Sequence, residues 1–278
     1  MVPLAKEDIR AISIVDIDQT LLRYEGDEKD QEWQGESWFL LTAAFKASIS
    51  QHMEIFGAFR NEVNGNKDVD GELHDEMALS LINLWEESWG KPITRIALEA
   101  VCEYIKMKVS VEAQKAIADL IEHGILVIIG TGGFENSAQA IASLFELQEV
   151  VARDVDSPDI NMWFGNTEFI FDENDILVTF HHKKDVIGYK RMQADKKIKE
   201  LIDSLGLEDD IPLIAIGDGK SDMALFWKYF GIALRPTDND LKMAAEAVVD
   251  NWEQAVAQAL AYVNWVEEEN EDNNSPVV

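Results

Sequence analysis

Two aspartates one residue apart, Asp16 and Asp18, directly follow an apolar run near the start of the chain, in the stretch VDIDQTLL. The preceding residues 11–15, AISIV, predict a short buried strand, since they are apolar, largely β-branched and too few for a helix. Ligands of parallel α/β sheets bind where the strands end. Two neighbouring carboxylates repel each other unless a cation or a charged substrate keeps them together. The stretch therefore predicts a metal-assisted nucleophilic site.

Two further predicted strands end in polar, glycine-rich stretches. One is GTGGF at residues 130–134 and the other is GDGKSD at residues 217–222. Thr131 offers a hydroxyl to phosphate oxygens, and glycines such as Gly132 let the backbone approach them closely. A lysine near the start of a following helix would neutralise charge that develops on a transferring phosphoryl group. These features together favour phosphate chemistry.

Each carboxylate has a chemical reason to be in such a site. Asp16 can attack phosphorus and form an acyl phosphate, which divides one difficult hydrolysis into two easier steps. Asp18 is placed to give a proton to the leaving oxygen and later to take one from water. Mg²⁺ prefers carboxylate, carbonyl and water oxygens, so Asp16, the Asp18 carbonyl and Asp218 could form its protein shell. The metal would reduce the repulsion between an anionic nucleophile and an anionic phosphate.

These motifs, in this order, resemble those of the haloacid dehalogenase-like phosphohydrolase superfamily, which run DxDx[TV], a strand-end Ser or Thr, a Lys, and GDxxxD. The resemblance spans residues 12 to about 250. The TGGF stretch and the insert between the first two motifs look like the phosphoserine phosphatase branch. In that branch the second motif reads SGGF and a helical cap follows the first.

The resemblance implies a role for each matching residue. Asp16 would be the phosphorylated nucleophile, Asp18 the general acid and base, and Thr131 a phosphate ligand. Asp218 would bind Mg²⁺, and Asp222 would support the metal. The haloacid dehalogenases themselves lack the second aspartate of the first motif, so Asp18 argues for phosphate chemistry over dehalogenation.

The chain departs from the family pattern at two points. Ser221 stands where an asparagine is usual, which puts one polar contact near the substrate in doubt. The stretch YKRMQADKKIK offers three candidates for the lysine, namely Lys190, Lys196 and Lys197. Lys190 fits the family spacing best, and Lys197 fits nearly as well.

Two residues of the insert are candidates for substrate recognition. A cap glutamate nine residues after the nucleophile binds the substrate amino group in phosphoserine phosphatases, and this offset falls on Glu25. Arg60 is a candidate for binding the substrate carboxylate. The alternative for Glu25 is a place in a solvated acidic loop, since residues 25–36 are rich in acids. An acidic cap could equally favour an amine-bearing phosphate ester.

The composition excludes several classes of protein. The 278 residues carry 53 acidic and 24 basic side chains, a formal net charge of −29, which predicts that the chain binds neither nucleic acid nor anionic membranes. The single cysteine, Cys102, excludes an internal disulfide and fits a reducing compartment. With no signal-like or membrane-length apolar run, we expect a cytoplasmic protein. The sequence leaves its oligomeric state open.

The predicted elements place these residues in an α/β fold. Alternating strands and helices indicate a Rossmann-like parallel sheet in a three-layer α/β/α core, with an α-helical cap inserted after the first strand. Residues 1–22 and 107–264 are expected to form this core, with a β-hairpin near residues 167–180. Residues 23–106 form the predicted helical cap. Residues 265–278 are expected to be an acidic, disordered tail.

The expected function is Mg²⁺-dependent hydrolysis of a small phosphorylated metabolite through an aspartyl-phosphate. A phosphoserine-like or amine-bearing phosphate ester is favoured. The alternatives are phosphotransfer to an acceptor other than water, as in phosphomutases of the same superfamily, and a catalytically silent binding protein on this fold.

Overall fold

A six-stranded parallel sheet forms the centre of the fold. The structure is a computed structural model, and it describes residues 4, 6–22, 37–65, 71–147, 161–182, 186–236 and 238–274. In chain order, the strands of the described residues are β1 (Ala11–Asp16), β2 (Ile125–Gly130), β3 (Trp163–Phe164), β4 (Thr167–Phe171), β5 (Leu177–His182), β6 (Leu213–Gly217), β7 (Phe230–Leu234) and β8 (Ala247–Val249). The order across the sheet is β3-β2-β1-β6-β7-β8, with every neighbouring pair parallel. This confirms the predicted parallel sheet.

Ten α-helices surround the strands in the described part of the chain. They are α1 (Ser37–Ala44), α2 (Ile49–Gly65), α3 (Gly71–Trp89), α4 (Arg95–Lys106), α5 (Val111–Glu122), α6 (Glu135–Leu144), α7 (Val186–Leu205), α8 (Met223–Phe226), α9 (Asn239–Ala244) and α10 (Trp252–Asn274). No helix within these described ranges is both long and apolar enough to cross a membrane.

The central strands are buried on both faces. Every residue of β1 and β2 is buried, in keeping with sequences that are largely apolar rather than alternating; Ser13 and Asp16 are the polar residues of β1. Helices α5 and α10 pack against each other, α5 also packs against β2, and α10 also packs against β7. Helix α6 packs against β2 and β3. The predicted α/β layering with helices on the sheet is therefore confirmed.

Capping side chains set the N-terminal bounds of two helices. The Ser110 hydroxyl accepts a hydrogen bond from the Ala113 N–H at 3.1 Å at the start of α5, and Thr94 caps α4 in the same way. Gly124, just after α5, has a left-handed φ of 80°, a conformation that glycine adopts without steric cost.

The predicted hairpin forms a separate two-stranded sheet. Strands β4 and β5 pair antiparallel, and β5 packs against α3. An isolated bridge between Thr94 and Ile176 adds a second link to the helices that follow β1. The hairpin thus contacts the predicted cap, although it was assigned to the core. The domain boundaries after residues 22 and 106 stay predictions.

The predicted disordered tail is wrong for residues 265–274, which continue helix α10 to Asn274. Arg10, at the start of β1, donates to Glu267 at 2.5 and 2.8 Å and to Asn264 at 2.7 Å. These two acceptors lie one turn apart on α10, so a single guanidinium holds its acidic end to the core. Their partner is more than 250 residues away in the chain, and composition alone gives no sign of it. The last four residues, 275–278, lie outside the described part.

An aromatic cluster joins helices α1 to α3 to the hairpin. Trp38 is 8 % exposed and lies at its centre. Its ring centroid is 5.4–6.2 Å from those of five aromatic side chains: Phe56, Trp85, Phe134, Phe169 and Phe180. The aromatic side chains of helices α1 to α3 therefore form packing core. Cys102, the single cysteine, is buried.

A buried histidine takes part in this cluster through a hydrogen-bonded chain. The Trp85 indole N–H donates to Thr42 Oγ1 at 3.1 Å, and Thr42 Oγ1 lies 2.7 Å from His52 Nδ1. Because the Thr42 oxygen accepts from Trp85, its hydroxyl proton is available for Nδ1 of a neutral imidazole. Burial lowers the pKa of His52 to about 4.

We expect this histidine to make stability depend on pH. From pH 6.5 down to about 4 the unfolded chain binds a proton at His52 that the folded chain does not, so the free energy of unfolding rises with pH across this window. Between about pH 5 and about pH 7.5 the gain is about 2 kcal/mol larger in the wild type than in His52→Phe. Urea unfolding of both proteins at both pH values measures the difference, and identical pH profiles would contradict it.

Candidate active site

The carboxyl ends of three adjacent strands bring the predicted motifs together. Strand β1 lies between β2 and β6, and Asp16 at its end pairs with Gly130 at the end of β2. Thr131 therefore follows on one side of Asp16, and Asp218 follows β6 on the other. Parallel pairing alone thus puts residues more than 200 positions apart at one sheet edge.

A buried lysine connects two of the carboxylates. Lys190, on the first turns of α7, is fully buried, and its Nζ bonds Asp16 Oδ1 and, at 2.6 Å, Asp222 Oδ1. The other two candidate lysines lie elsewhere, since Lys196 and Lys197 each pair with Glu200 on their own helix. Helix α7 begins at Val186, one turn before Lys190, so the start of this helix carries the lysine to the site.

The charged side chains of the site shift one another's pKa values. Burial, and then Asp222, raise the pKa of Asp16 well above its usual value, while Lys190 acts in the opposite direction. Burial alone would lower the pKa of Lys190, but Asp16 and Asp222 more than offset it and the net pKa is raised. Burial and Asp222 also raise the pKa of Asp218 to about 7. One lysine cation therefore leaves the site with excess negative charge.

This excess charge and the donor atoms fit a divalent cation. Oxygens of Asp16, Asp218 and Asp222 all lie within 4.8 Å of one another. Carboxylate oxygens are the ligands that Mg²⁺ takes in proteins. Thr20 Oγ1 donates to Asp218 Oδ1 at 3.0 Å and orients that carboxylate. Asp222, expected only to support the metal, places its own oxygen in the same group, whereas the expected ligand at the Asp18 carbonyl stays a prediction.

A glycine makes room for Asp222. A Cβ on Gly217 would lie 2.3 Å from Asp222 Cγ, far inside contact distance. Asp222 is 1 % exposed, and its second oxygen accepts from the Gly219 N–H at 3.2 Å. The first glycine of GDGKSD is therefore a packing requirement of the last aspartate. Ser221 lies between these residues and is half-buried.

Asp18 is held by a residue that the sequence analysis missed. The Ser37 N–H donates to Asp18 Oδ1 at 2.7 Å, and Ser37 Oγ donates to Oδ2 at 3.2 Å. Burial raises the pKa of Asp18, while these hydrogen bonds and one with Thr131 oppose the rise. A serine that opens a helix is a common sequence signal, but nothing in the sequence connects it with Asp18, 19 residues earlier.

The TGGF loop lies against Asp18 and Ser37 at the edge of the site. Thr131 is fully buried, and its Oγ1 accepts from the Gly133 N–H at 2.9 Å. Gly132, between them, is half-buried. A Cβ on Gly133 would lie 2.9 Å from Ser37 Oγ, 3.2 Å from Thr131 Oγ1 and 3.4 Å from Asp18 Oδ2. The glycine thus lets three polar groups converge.

The two predicted substrate residues are not placed in the site. Glu25 lies outside the described residues. The backbone of Arg60 belongs to α2, and its side chain lies outside the described part. Their roles stay predictions.

Solved structures share this fold. A phospho-aspartyl intermediate analogue of phosphoserine phosphatase superposes with a TM-score of 0.53 at 16 % identity, over 90 % of this chain and 99 % of the other. A phosphoserine phosphohydrolase-like protein from Francisella tularensis gives 0.51 at 21 %, over 90 % and 99 %. Cytosolic 5′-nucleotidase IIIB bound to cytidine gives 0.54 at 14 %, over 96 % and 88 %. Comparisons with protein families and with curated proteins give no match. The fold expected from the family resemblance is therefore confirmed.

We expect the buried ion pairs of Lys190 to be important for stability. Lys190→Met leaves buried carboxylates without their cation, so the free energy of unfolding should fall by about 3 to 5 kcal/mol. Urea unfolding in the presence of EDTA measures the loss. Lys196→Met, at an exposed lysine on the same helix, is the matched control and should change stability by less than about 0.5 kcal/mol. Equal losses in the two variants would show that Lys190 does not neutralise the site.

The acidic group should bind Mg²⁺ measurably. Magnesium at about 100 times its dissociation constant should stabilise the EDTA-treated protein by about 2.7 kcal/mol, seen as a rise in Tm. Asp218→Asn removes one charged ligand and should abolish most of this rise. Asp203→Asn, at an exposed position of α7, should leave it intact. If Asp218→Asn responds to Mg²⁺ like the wild type, the ion binds elsewhere.

Proposed function

We propose that this protein is a Mg²⁺-dependent phosphomonoester hydrolase that acts through an aspartyl-phosphate on Asp16. The observation that carries the proposal is that Lys190 of helix α7 meets Asp16, Asp18 and Thr131 at adjoining strand ends, beside a group of carboxylates suited to a divalent cation. The fold shared with phosphoserine phosphatases supports it.

In the first step, a carboxylate oxygen of Asp16 forms a bond to phosphorus and the phosphorus–oxygen bond of the ester breaks. Asp18 transfers its proton to the leaving oxygen, which departs as an alcohol. Lys190 holds Asp16 in place through Oδ1 and offsets charge on the transferring group. Thr131 provides a hydroxyl for a phosphate oxygen.

In the second step, water attacks phosphorus and gives a proton to the Asp18 carboxylate. The bond between phosphorus and the Asp16 oxygen breaks, inorganic phosphate leaves, and both aspartates return to their starting states. A bound Mg²⁺, held by Asp16, Asp218 and Asp222, would lower the repulsion between the Asp16 carboxylate and the phosphate.

The substrate we propose is a small phosphorylated metabolite, with a phosphoserine-like or amine-bearing ester preferred. Glu25, nine residues after the nucleophile, supports an ammonium group in the substrate, and Arg60 supports a carboxylate. The 5′-nucleotidase likeness adds nucleotides to the compounds to be tested.

The first test is the nucleophile. Asp16→Asn should lower kcat/KM for p-nitrophenyl phosphate at least about 10³-fold, since it removes the attacking oxyanion. Asp203→Asn is the matched control and should retain wild-type turnover. Circular dichroism verifies that both variants fold. Full activity in Asp16→Asn would contradict the proposal.

A phosphometabolite panel then addresses substrate and acceptor. Phosphoserine, phosphoethanolamine, phosphocholine and nucleotides are offered with Mg²⁺, and free phosphate is measured. Phosphate found on an added alcohol instead of in solution would indicate a phosphotransferase or phosphomutase. Mg²⁺ binding without turnover of any ester would indicate a binding protein on this fold.

A further inference from the structure

Ser37 is the residue of the site that no motif accounts for. It is fully buried, and both of its donors are directed at the two oxygens of one carboxylate, that of Asp18. A buried hydroxyl needs a hydrogen-bond partner, and many acceptors would serve. Its use of this particular carboxylate joins the first residue of α1 to the proposed general acid.

We propose that Ser37 is a positioning residue that orients the Asp18 carboxyl group for proton transfer to the leaving oxygen. The proposal rests on the hydrolase function proposed above and deepens it. Two hydrogen bonds, at 2.7 and 3.2 Å, reach different oxygens of Asp18 and so fix the rotation of its carboxyl plane. A single bond would leave that rotation free.

The position of Ser37 on α1 strengthens this contact. The first N–H groups of a helix have no partner within the helix, so the Asp18 carboxylate satisfies one of them. The N-terminal end of the helix also carries partial positive charge, which favours an acceptor of negative charge there. Asp18 thus caps α1 from 19 residues away.

The next residue holds α1 in place. Trp38 is packed in the aromatic cluster, 5.4 Å from the ring of Phe134, which directly follows the TGG stretch. Rotation or withdrawal of α1 would have to disturb this buried packing. The hydrogen bonds of Ser37 to Asp18 are therefore supported from behind by the apolar core.

The backbone N–H and the hydroxyl of Ser37 contact different oxygens of Asp18. Its backbone N–H can only donate, so it suits Oδ1 as an acceptor throughout. Its hydroxyl donates to Oδ2, which has a second lone-pair site that can carry the proton for the leaving oxygen. Loss of the hydroxyl should impair proton transfer more than binding.

The dependence of kcat/KM on the leaving group of the ester distinguishes a positioning role of Ser37 from a merely structural one. Phenoxide is a stronger base than p-nitrophenolate, so its departure depends more on protonation. The value of kcat/KM reports steps up to formation of the aspartyl-phosphate, where Asp18 acts as acid. A misplaced acid lowers it for phenyl phosphate and spares p-nitrophenyl phosphate, whereas a general structural defect lowers both.

The test compares these two esters in four variants. Ser37→Ala and Ser37→Gly both remove the hydroxyl and keep the backbone N–H. The test can therefore be made if either of the two variants folds. Each should lower kcat/KM about tenfold for phenyl phosphate and less than about twofold for p-nitrophenyl phosphate. Ser37→Thr restores a hydroxyl and should recover most of the loss. Ser48→Ala, which removes the side-chain acceptor of the Gln51 N–H at the start of α2, is the matched control.

The outcomes are distinguishable from failure of the proposed function. Equal losses for both esters, or no loss for either, would overturn the role of Ser37 while the wild type remains an active hydrolase. A wild type inactive toward both esters, with Mg²⁺ bound, would overturn the proposed function and this inference with it.

Discussion

The pairing of buried Lys190 with Asp16 and Asp222 is the interaction on which the site depends. Three acidic side chains lie at one sheet edge, and without a cation their burial would be strongly unfavourable. The lysine must arrive from a helix, α7, that follows the hairpin, while its partners come from β1 and the turn after β6. Three distant segments therefore have to reach final packing together, which makes this ion pair a condition of the fold as well as of the chemistry.

A second connection joins the helices after β1 to the same edge. Through Ser37 and Trp38, helix α1 contacts both Asp18 and the aromatic cluster that contains Phe134. The acid, the TGGF loop and the helical packing thus share one set of contacts. A change in the cluster would be transmitted to the Asp18 carboxyl group, the proposed general acid. The helices that would select a substrate are therefore in direct contact with the residues that would catalyse its hydrolysis.

Features of the molecule that depend on short stretches of sequence were predictable. The apolar runs before Asp16 and Thr131 identify buried strands, and parallel pairing then brings their ends together. Features that depend on contacts between distant residues were not. Strand β8 is three residues long, and helix α10 continues through its acidic end because Arg10 holds Glu267. The contact of Ser37 with Asp18 was likewise not predictable, since it depends on where helix α1 packs.

The strong acidity of the chain bears on which phosphate ester it would take. A net charge of −29 creates a field that opposes the approach of any anion, and at the proposed site the buried Lys190 and a bound divalent cation would offset it. A phosphate ester that carries its own ammonium group has less net charge to bring into that field. Its penalty on approach would be smaller, while the phosphoryl group would still gain the full attraction of the lysine and of a bound metal ion. Electrostatics alone thus favours amine-bearing esters over multiply charged nucleotides, independently of any contact with Glu25.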